Sequence, residues 1–257
     1  MKDLTWIQTH DIAHRGLYLK DQSIPENSLS AFSNALSHGY SIELDLNITK
    51  DDKVIAFHDH SLERICRDSR LLSDVTYDEI RQLKLFDSNE HIPTLKEVLT
   101  LVNGKVPLLI ELKPKGNVIR LCESFYRDVK DYSGQFAVFS FHPKVVYWFK
   151  KHHPEIIRGQ IAEFFKRDDM NPFFKYLLKS MFFNYFTRPD FISYGIYDMP
   201  NRYLDKLKKK NMTIISYAAK SQQELDRIRN LYHNAVFEHF IPKSSSIIEN
   251  TPSREKL

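Results

Sequence analysis

The chain has 257 residues, 42% hydrophobic and 27% charged, with a formal charge of +4. That length suits one large barrel or two modest domains, and so small a positive excess argues against a dedicated nucleic-acid binder while suiting an anionic small substrate or an acidic membrane surface. Two widely separated cysteines, Cys66 and Cys122, offer neither a disulfide framework nor a zinc knuckle; with no apolar leader and no uncharged run of about 18 residues, a cytoplasmic protein is expected.

In chain order, short apolar runs predict strands over 11–15, 41–48, 107–113, 136–141, 156–162, 191–196, 213–219 and 235–240. Helical patterns follow them over 26–38, 95–103, 117–132, 143–152, 172–186, 201–210, 221–232 and 244–249. Strands separated by helices imply parallel pairing through crossovers. Eight such units without a linker predict an α/β fold, a TIM (β/α)8 barrel forming a single catalytic domain over 1–257. An open doubly wound sheet is the alternative that periodicity alone does not exclude. Pro25, Asn27 and Ser28 mark the start of the first helix, Gly39 its end, and Ser221 with Glu224 reads as a capping box. Residues 51–94 hold one apolar run, 54–57, and then polar turn signals, so they read as a small insertion on the catalytic face.

Within 41–48, Ile42, Leu44, Leu46 and Ile48 alternate with Glu43, Asp45, Asn47 and Thr49. Taken alone, that is a half-exposed antiparallel strand. In a barrel the apolar face packs on the helices, and Glu43 and Asp45 must face the lumen, where unpaired carboxylates are intolerable. The third strand repeats the pattern: Leu108, Ile110 and Leu112 take one face, Glu111 and Lys113 the other. Glu43, Asp45 and Glu111 make an all-oxygen site suited to one divalent cation, Mg²⁺ or Ca²⁺, rather than Zn²⁺. A salt bridge from Lys113 to one of them would leave the other two unexplained. His14 and His58 each close an apolar run at the expected catalytic face, whereas His10, His38, His60, His91, His142, His152, His153 and His233 read as structural.

These residues stand in an ordered set of motifs: Ala13-His14-Arg15-Gly16, Pro25-Glu26-Asn27-Ser28, Ala31-Phe32, Glu43-Leu44-Asp45, Phe57-His58-Asp59, Leu62 with Arg64, Ile92-Pro93-Thr94-Leu95 and Glu111-Leu112-Lys113. Over about the first 115 residues the chain closely resembles the glycerophosphodiester phosphodiesterase family. The resemblance implies a TIM barrel with an insertion after strand two, and metal-dependent cleavage of glycerophosphodiesters to sn-glycerol 3-phosphate and an alcohol. It further implies that Glu43, Asp45 and Glu111 hold the metal, that His14 and His58 are the acid–base pair, and that Arg15 and Lys113 contact phosphate. Weaker likeness continues at Ser140-Phe141. Later motifs depart: Tyr217-Ala218 stands where the family has Trp-Thr, and Glu238-His239 roughly where it has Thr-Asp. Phe141 and Tyr217 are therefore expected on the substrate-binding wall, with substrate preference altered. The sequence leaves open whether water or a neighbouring glycerol hydroxyl attacks phosphorus.

The segment 172–186 reads most simply as the fifth barrel helix, buried against the strands. It has more apolar surface than one stripe requires, so subunit contact, an acyl groove or peripheral membrane contact are also open, and phospholipase D-type cleavage of lysophospholipids is the alternative activity.

Overall fold

The computed structural model describes residues 2–166 and 169–243; the helix expected over 244–249 lies outside them. Nine strands are present among the described residues: β1 (Ile12–Ala13), β2 (Ser41–Ile48), β3 (Val54–Ala56), β4 (Leu108–Leu112), β5 (Phe136–Ser140), β6 (Ile157–Ala162), β7 (Phe191–Gly195), β8 (Thr213–Ala219) and β9 (Asn234–Phe237). Their order, β1-β9-β8-β7-β6-β5-β4-β2, closes on itself through β1–β2 pairing, and each of these pairs is parallel. Closure leaves no edge among the eight strands and rules out the open sheet. The fold is a TIM barrel, and β3 runs antiparallel to β2 as an added arm.

Strand alternation sorts the core into layers. Ile42, Leu44, Leu46, Leu108, Ile110 and Leu112 face outward and pack with Phe32, Val98, Leu121 and Phe149 from the surrounding helices. Leu109, Ala137, Phe139, Ile161, Phe191 and Ile215 form a second cluster in the lumen. Trp6 and Ile7, from a short helix Thr5–Thr9 that the periodicity did not predict, join this cluster at the N-terminal end of the strands. The lower lumen is thus filled mainly with hydrocarbon, with Asn234 donating to the Ile7 and His10 carbonyls at its floor, and the ionisable side chains of the lumen gather at the C-terminal mouth.

Local chemistry sets the element ends. β1 stops two residues earlier than expected because Arg15 (φ 53°) and Gly16 (φ 77°) turn into the left-handed region. A Cβ on Gly16 would sit 2.8 Å from the carbonyl carbon of Ala31, so both backbone and space require glycine there. The helix Leu29–Ser37 begins later than expected, capped by Ser28, whose hydroxyl accepts from the Ala31 amide. Ser221 accepts from the Glu224 amide as anticipated, but the Glu224 carboxylate returns to the amide of Lys220, one residue before the cap. The excursion after β2, expected to hold one apolar run and then polar turns, carries a buried cluster of its own that includes Ile55, Phe57, Leu62, Ile65, Leu72 and Ile80.

The expectation for 172–186 needs correction. The segment is two short helices, Pro172–Lys179 and Asn184–Thr187, broken where Met181 adopts φ 57°. The first buries none of its residues, so it is not a barrel helix packed on the strands.

Candidate active site

The outward packing of Ile42, Leu44 and Leu46 forces Glu43 and Asp45 into the lumen, and the β2–β4 register sets Asp45 opposite Glu111. One oxygen from each of Glu43, Asp45 and Glu111 lies within 4.8 Å of the others, and all three side chains are buried. Burial, then the neighbouring Asp45 and Glu111 charges, push the Glu43 carboxyl well above its usual range. Glu111 is raised by burial and by Asp45, against the pull of Lys113. Asp45 goes the other way: burial opposes ionisation, but Lys113, His58 and Arg15 outweigh it. Carboxylates this close repel unless protons or a cation lie between them. Three hard oxygen donors without sulfur or imidazole suit a small divalent cation. Asn27 fixes the middle carboxylate from both sides: its Nδ2 donates to Asp45 Oδ2 (3.0 Å), and its Oδ1 accepts from the Asp45 amide (3.1 Å). The Arg15 amide donates to Glu43 Oε2 at 2.8 Å, which ties the turn after β1 to the acidic cluster.

The two expected histidines flank this cluster, each backed by a carboxylate. His14 leaves β1 with its amide bonded to the Phe237 carbonyl, and its Nδ1 lies 2.5 Å from Glu238 Oε2. Its Nε2 is 3.9 Å from Glu43 Oε2. Burial draws the His14 pKa below its usual value, against the contribution of Glu238. Glu238 accepts also from the Tyr18 hydroxyl (2.8 Å) and pairs with Lys220 (3.3 Å); burial disfavours its charge, but His14 and Tyr18 hold the carboxyl well below the ordinary range. His58 follows β3, and its Nδ1 lies 2.5 Å from Asp59 Oδ1. Arg64 clamps Asp59 (Nε to Oδ2, 2.7 Å) and Glu26 (2.7 Å), and Glu26 in turn accepts from Arg15 (2.7 Å). Both imidazoles are therefore oriented through Nδ1, leaving Nε2 for the cavity.

Arg15 sits between Glu26 and Asp45, with Nε 3.2 Å from Asp45 Oδ2, so its fork is more tightly held than the sequence suggested. Lys113 Nζ lies 3.2 Å from Glu111 Oε1 and 3.5 Å from Asp45 Oδ1. Burial would lower its pKa, but those two carboxylates hold it up at about 12. Phe141 and Tyr217 meet edge to face at 5.8 Å, and the Tyr217 hydroxyl donates to Glu163 (3.0 Å). All nine residues singled out in the sequence line one cavity of about 200 Å³ at the barrel mouth. Glu26, Asn27, Asp59 and Arg64 stand in the family motifs and Glu238 in a departure from them, but none of the five carries a site role in the sequence; the structure makes them braces. Asp59 adjoins His58 and was within reach of a local argument; Glu238 lies 224 residues from His14 and carried no local signal.

A closed (β/α)8 barrel with an acidic, cation-competent cluster set between two carboxylate-backed imidazoles at its C-terminal mouth is an architecture for handling anionic substrates. The sequence model of the glycerophosphoryl diester phosphodiesterase family matches residues 14–243, and the chain belongs to that family. It is 31% identical over 137 residues to a glycerophosphodiester phosphodiesterase of Caldanaerobacter subterraneus, covering 49% of this chain and 55% of the relative. A putative glycerophosphodiester phosphodiesterase of Bacillus subtilis is 33% identical over 158 residues, covering 56% and 62%. The chain thus spans only part of the length of the curated relatives it matches. Among solved structures, an Oleispira antarctica phosphodiesterase in complex with its product sn-glycerol-3-phosphate superposes with a TM-score of 0.76 at 21% identity, covering 91% of this chain and 94% of the other. A Thermotoga maritima glycerophosphodiester phosphodiesterase gives a TM-score of 0.70 at 21% identity, covering 89% and 94%.

Proposed function

We propose that this chain is a phosphoric diester hydrolase that cleaves glycerophosphodiesters to sn-glycerol 3-phosphate and an alcohol. The observation that carries this reading is the convergence of Glu43, Asp45 and Glu111 between the two carboxylate-backed histidines. The three carboxylates would hold one divalent cation, Mg²⁺ or Ca²⁺, which when bound supplies Lewis-acid stabilisation of charge on the phosphoryl oxygens. Lys113 and Arg15 would orient the phosphate, Lys113 as a point charge and Arg15 as a planar donor braced by Glu26.

His14 takes the part of general base: burial keeps its imidazole neutral, and Nε2 accepts the nucleophile's proton while Glu238 stabilises the imidazolium that forms. His58, held by Asp59, donates a proton to the departing alkoxide from its Nε2. Phe141 and Tyr217, in edge-to-face contact, form the wall beside the leaving alcohol. Incubation with glycerophosphocholine, followed by ³¹P and ¹H NMR, tests the reading. It requires glycerol 3-phosphate and free choline in equal amounts; phosphocholine and glycerol, or no turnover, would refute it.

A further inference from the structure

The exposed apolar side chains of this chain are not scattered. Of the eleven large ones exposed among the described residues, seven lie on two neighbouring segments, the helix Pro143–His152 and residues 172–188. Phe173 is 70% exposed, Tyr185 79% and Phe182 52%. Ring contacts make the patch continuous. Phe174 meets Phe183 at 6.0 Å, Phe183 meets Phe182 at 5.9 Å, and Phe186 meets Phe182 at 6.2 Å and Tyr185 at 5.1 Å. Lys150 joins the two segments: its Nζ donates to the Phe186 carbonyl and lies 5.6 Å from the centre of the Tyr147 ring. The helix Pro172–Lys179 buries none of its residues, so these rings are not the back of a barrel helix. Contiguous apolar surface left to water marks a binding surface.

Charge identifies the occupant. The same two segments carry Lys144, Lys150, Lys151, Lys175, Lys179 and Arg188, and no Asp or Glu. Six cations exceed the formal charge of +4 of the whole chain, so the remainder is net acidic. A second copy of the chain fits this face badly, because a two-fold contact would set these cations against their own equivalents. A folded partner held in one register would be met by charges of both signs. A surface of uniform negative sign over hydrocarbon satisfies both features. The rings enter the headgroup boundary, and the lysine stems lie along them with their ammonium groups at the phosphates. Lys179 already has that arrangement, with Nζ 5.8 Å from the centre of the Tyr176 ring.

We propose that the face bearing Tyr147, Phe173, Phe182, Tyr185 and Phe186, with its surrounding lysines, docks this protein peripherally on an anionic bilayer. Docking does not depend on the catalytic reading of the barrel cavity. Phe174 also lines a hollow of about 440 Å³ that reaches Glu111 and Lys113, so docking sets the barrel mouth beside the lipid surface.

Co-sedimentation of the intact protein with vesicles is the test. Vesicles of about 30 mol% phosphatidylglycerol in phosphatidylcholine should retain the protein at least about tenfold better than pure phosphatidylcholine. Raising the ionic strength from about 0.05 M to about 0.5 M should weaken retention, because exposed charges are then screened. Phe173→Ser with Tyr185→Ser should lower the partition coefficient at least about tenfold. Lys144→Gln with Lys151→Gln should lower it about 10- to 30-fold, whereas Lys144→Arg with Lys151→Arg should bind like the parent chain. All four side chains are exposed and none lines the catalytic cavity, so thermal midpoints should match the parent. Absence of retention by phosphatidylglycerol vesicles at low salt would overturn the proposal and leave the face to a protein partner. Full retention of the double-serine variant would overturn it equally. So would a parent dimer in sedimentation velocity that the double-serine variant dissolves, since the face would then join two copies.

Discussion

A carboxylate 2.5 Å from His14 Nδ1 fixes the tautomer and lowers the cost of charging the ring once Nε2 has taken a proton. Glu238→Gln keeps the size and removes the charge, so it should lower kcat by about 10- to 100-fold with KM little changed. Steady-state kinetics on glycerophosphocholine would read that split, and a purely structural Glu238 would instead show as lost folded protein. His14→Ala and His58→Ala should each cost at least about 10²-fold in kcat. A p-nitrophenyl leaving group, which needs no proton, should rescue only His58→Ala; rescue of His14→Ala instead would reverse the two assignments. Gly16→Ala places a methyl 2.8 Å from the Ala31 carbonyl carbon at φ 77°, and should destabilise the chain by about 1–3 kcal/mol in denaturant titration. At this scale the sequence was legible where chemistry and periodicity coincide, as at Glu43 and Asp45. It gave the braces no role, because Glu26, Arg64 and Glu238 act through partners distant in the chain.

At the scale of elements, β2 is the strand on which the site is built. Its outward residues hold the register, and its inward carboxylates carry an electrostatic strain that Asn27, Arg15 and Lys113 only partly relieve. Glu43 and Glu111 have folded-state pKa values above their ordinary ones. In the cation-free chain their protonated forms therefore favour folding below the ordinary carboxylate pKa, and that contribution is lost as pH rises through the raised values. A divalent cation binds the ionised forms and competes with those protons. Its increment in Tm should be larger at about pH 8 than at about pH 5.5, and Glu43→Gln should abolish most of it. Differential scanning fluorimetry with Mg²⁺ and with Ca²⁺ would show this; equal increments at both pH values would contradict the carboxylate assignment. Helix starts were legible where an asparagine caps the first turn, as at Asn117 and Asn201. Boundaries were not legible at β1, where positive φ at Arg15 overrides an apolar run, nor over 172–186, where apolar density suggested a barrel helix in a segment that buries almost none of it.

For the molecule as a whole, closure of the barrel converts a row of alternating residues into a vessel with a mainly hydrocarbon floor and a charged mouth. Parallel pairing was legible from eight strand–helix repeats, because parallel strands need crossovers, but closure came only from the β1–β2 pairing, which periodicity does not reveal. The direction of the hollow leaving the mouth was not legible either, since it depends on which loops meet above the strands. The central claim is that the mouth is a cation-requiring phosphodiesterase site. It is tested most directly by stripping the protein with a chelator, removing the chelator, and following glycerol 3-phosphate release from glycerophosphocholine as Mg²⁺ or Ca²⁺ is restored. The account predicts loss of most activity on stripping, recovery that saturates at one cation per chain, and no recovery in Glu43→Gln or Asp45→Asn. Full turnover by the stripped protein, with no cation detected by elemental analysis, would contradict it.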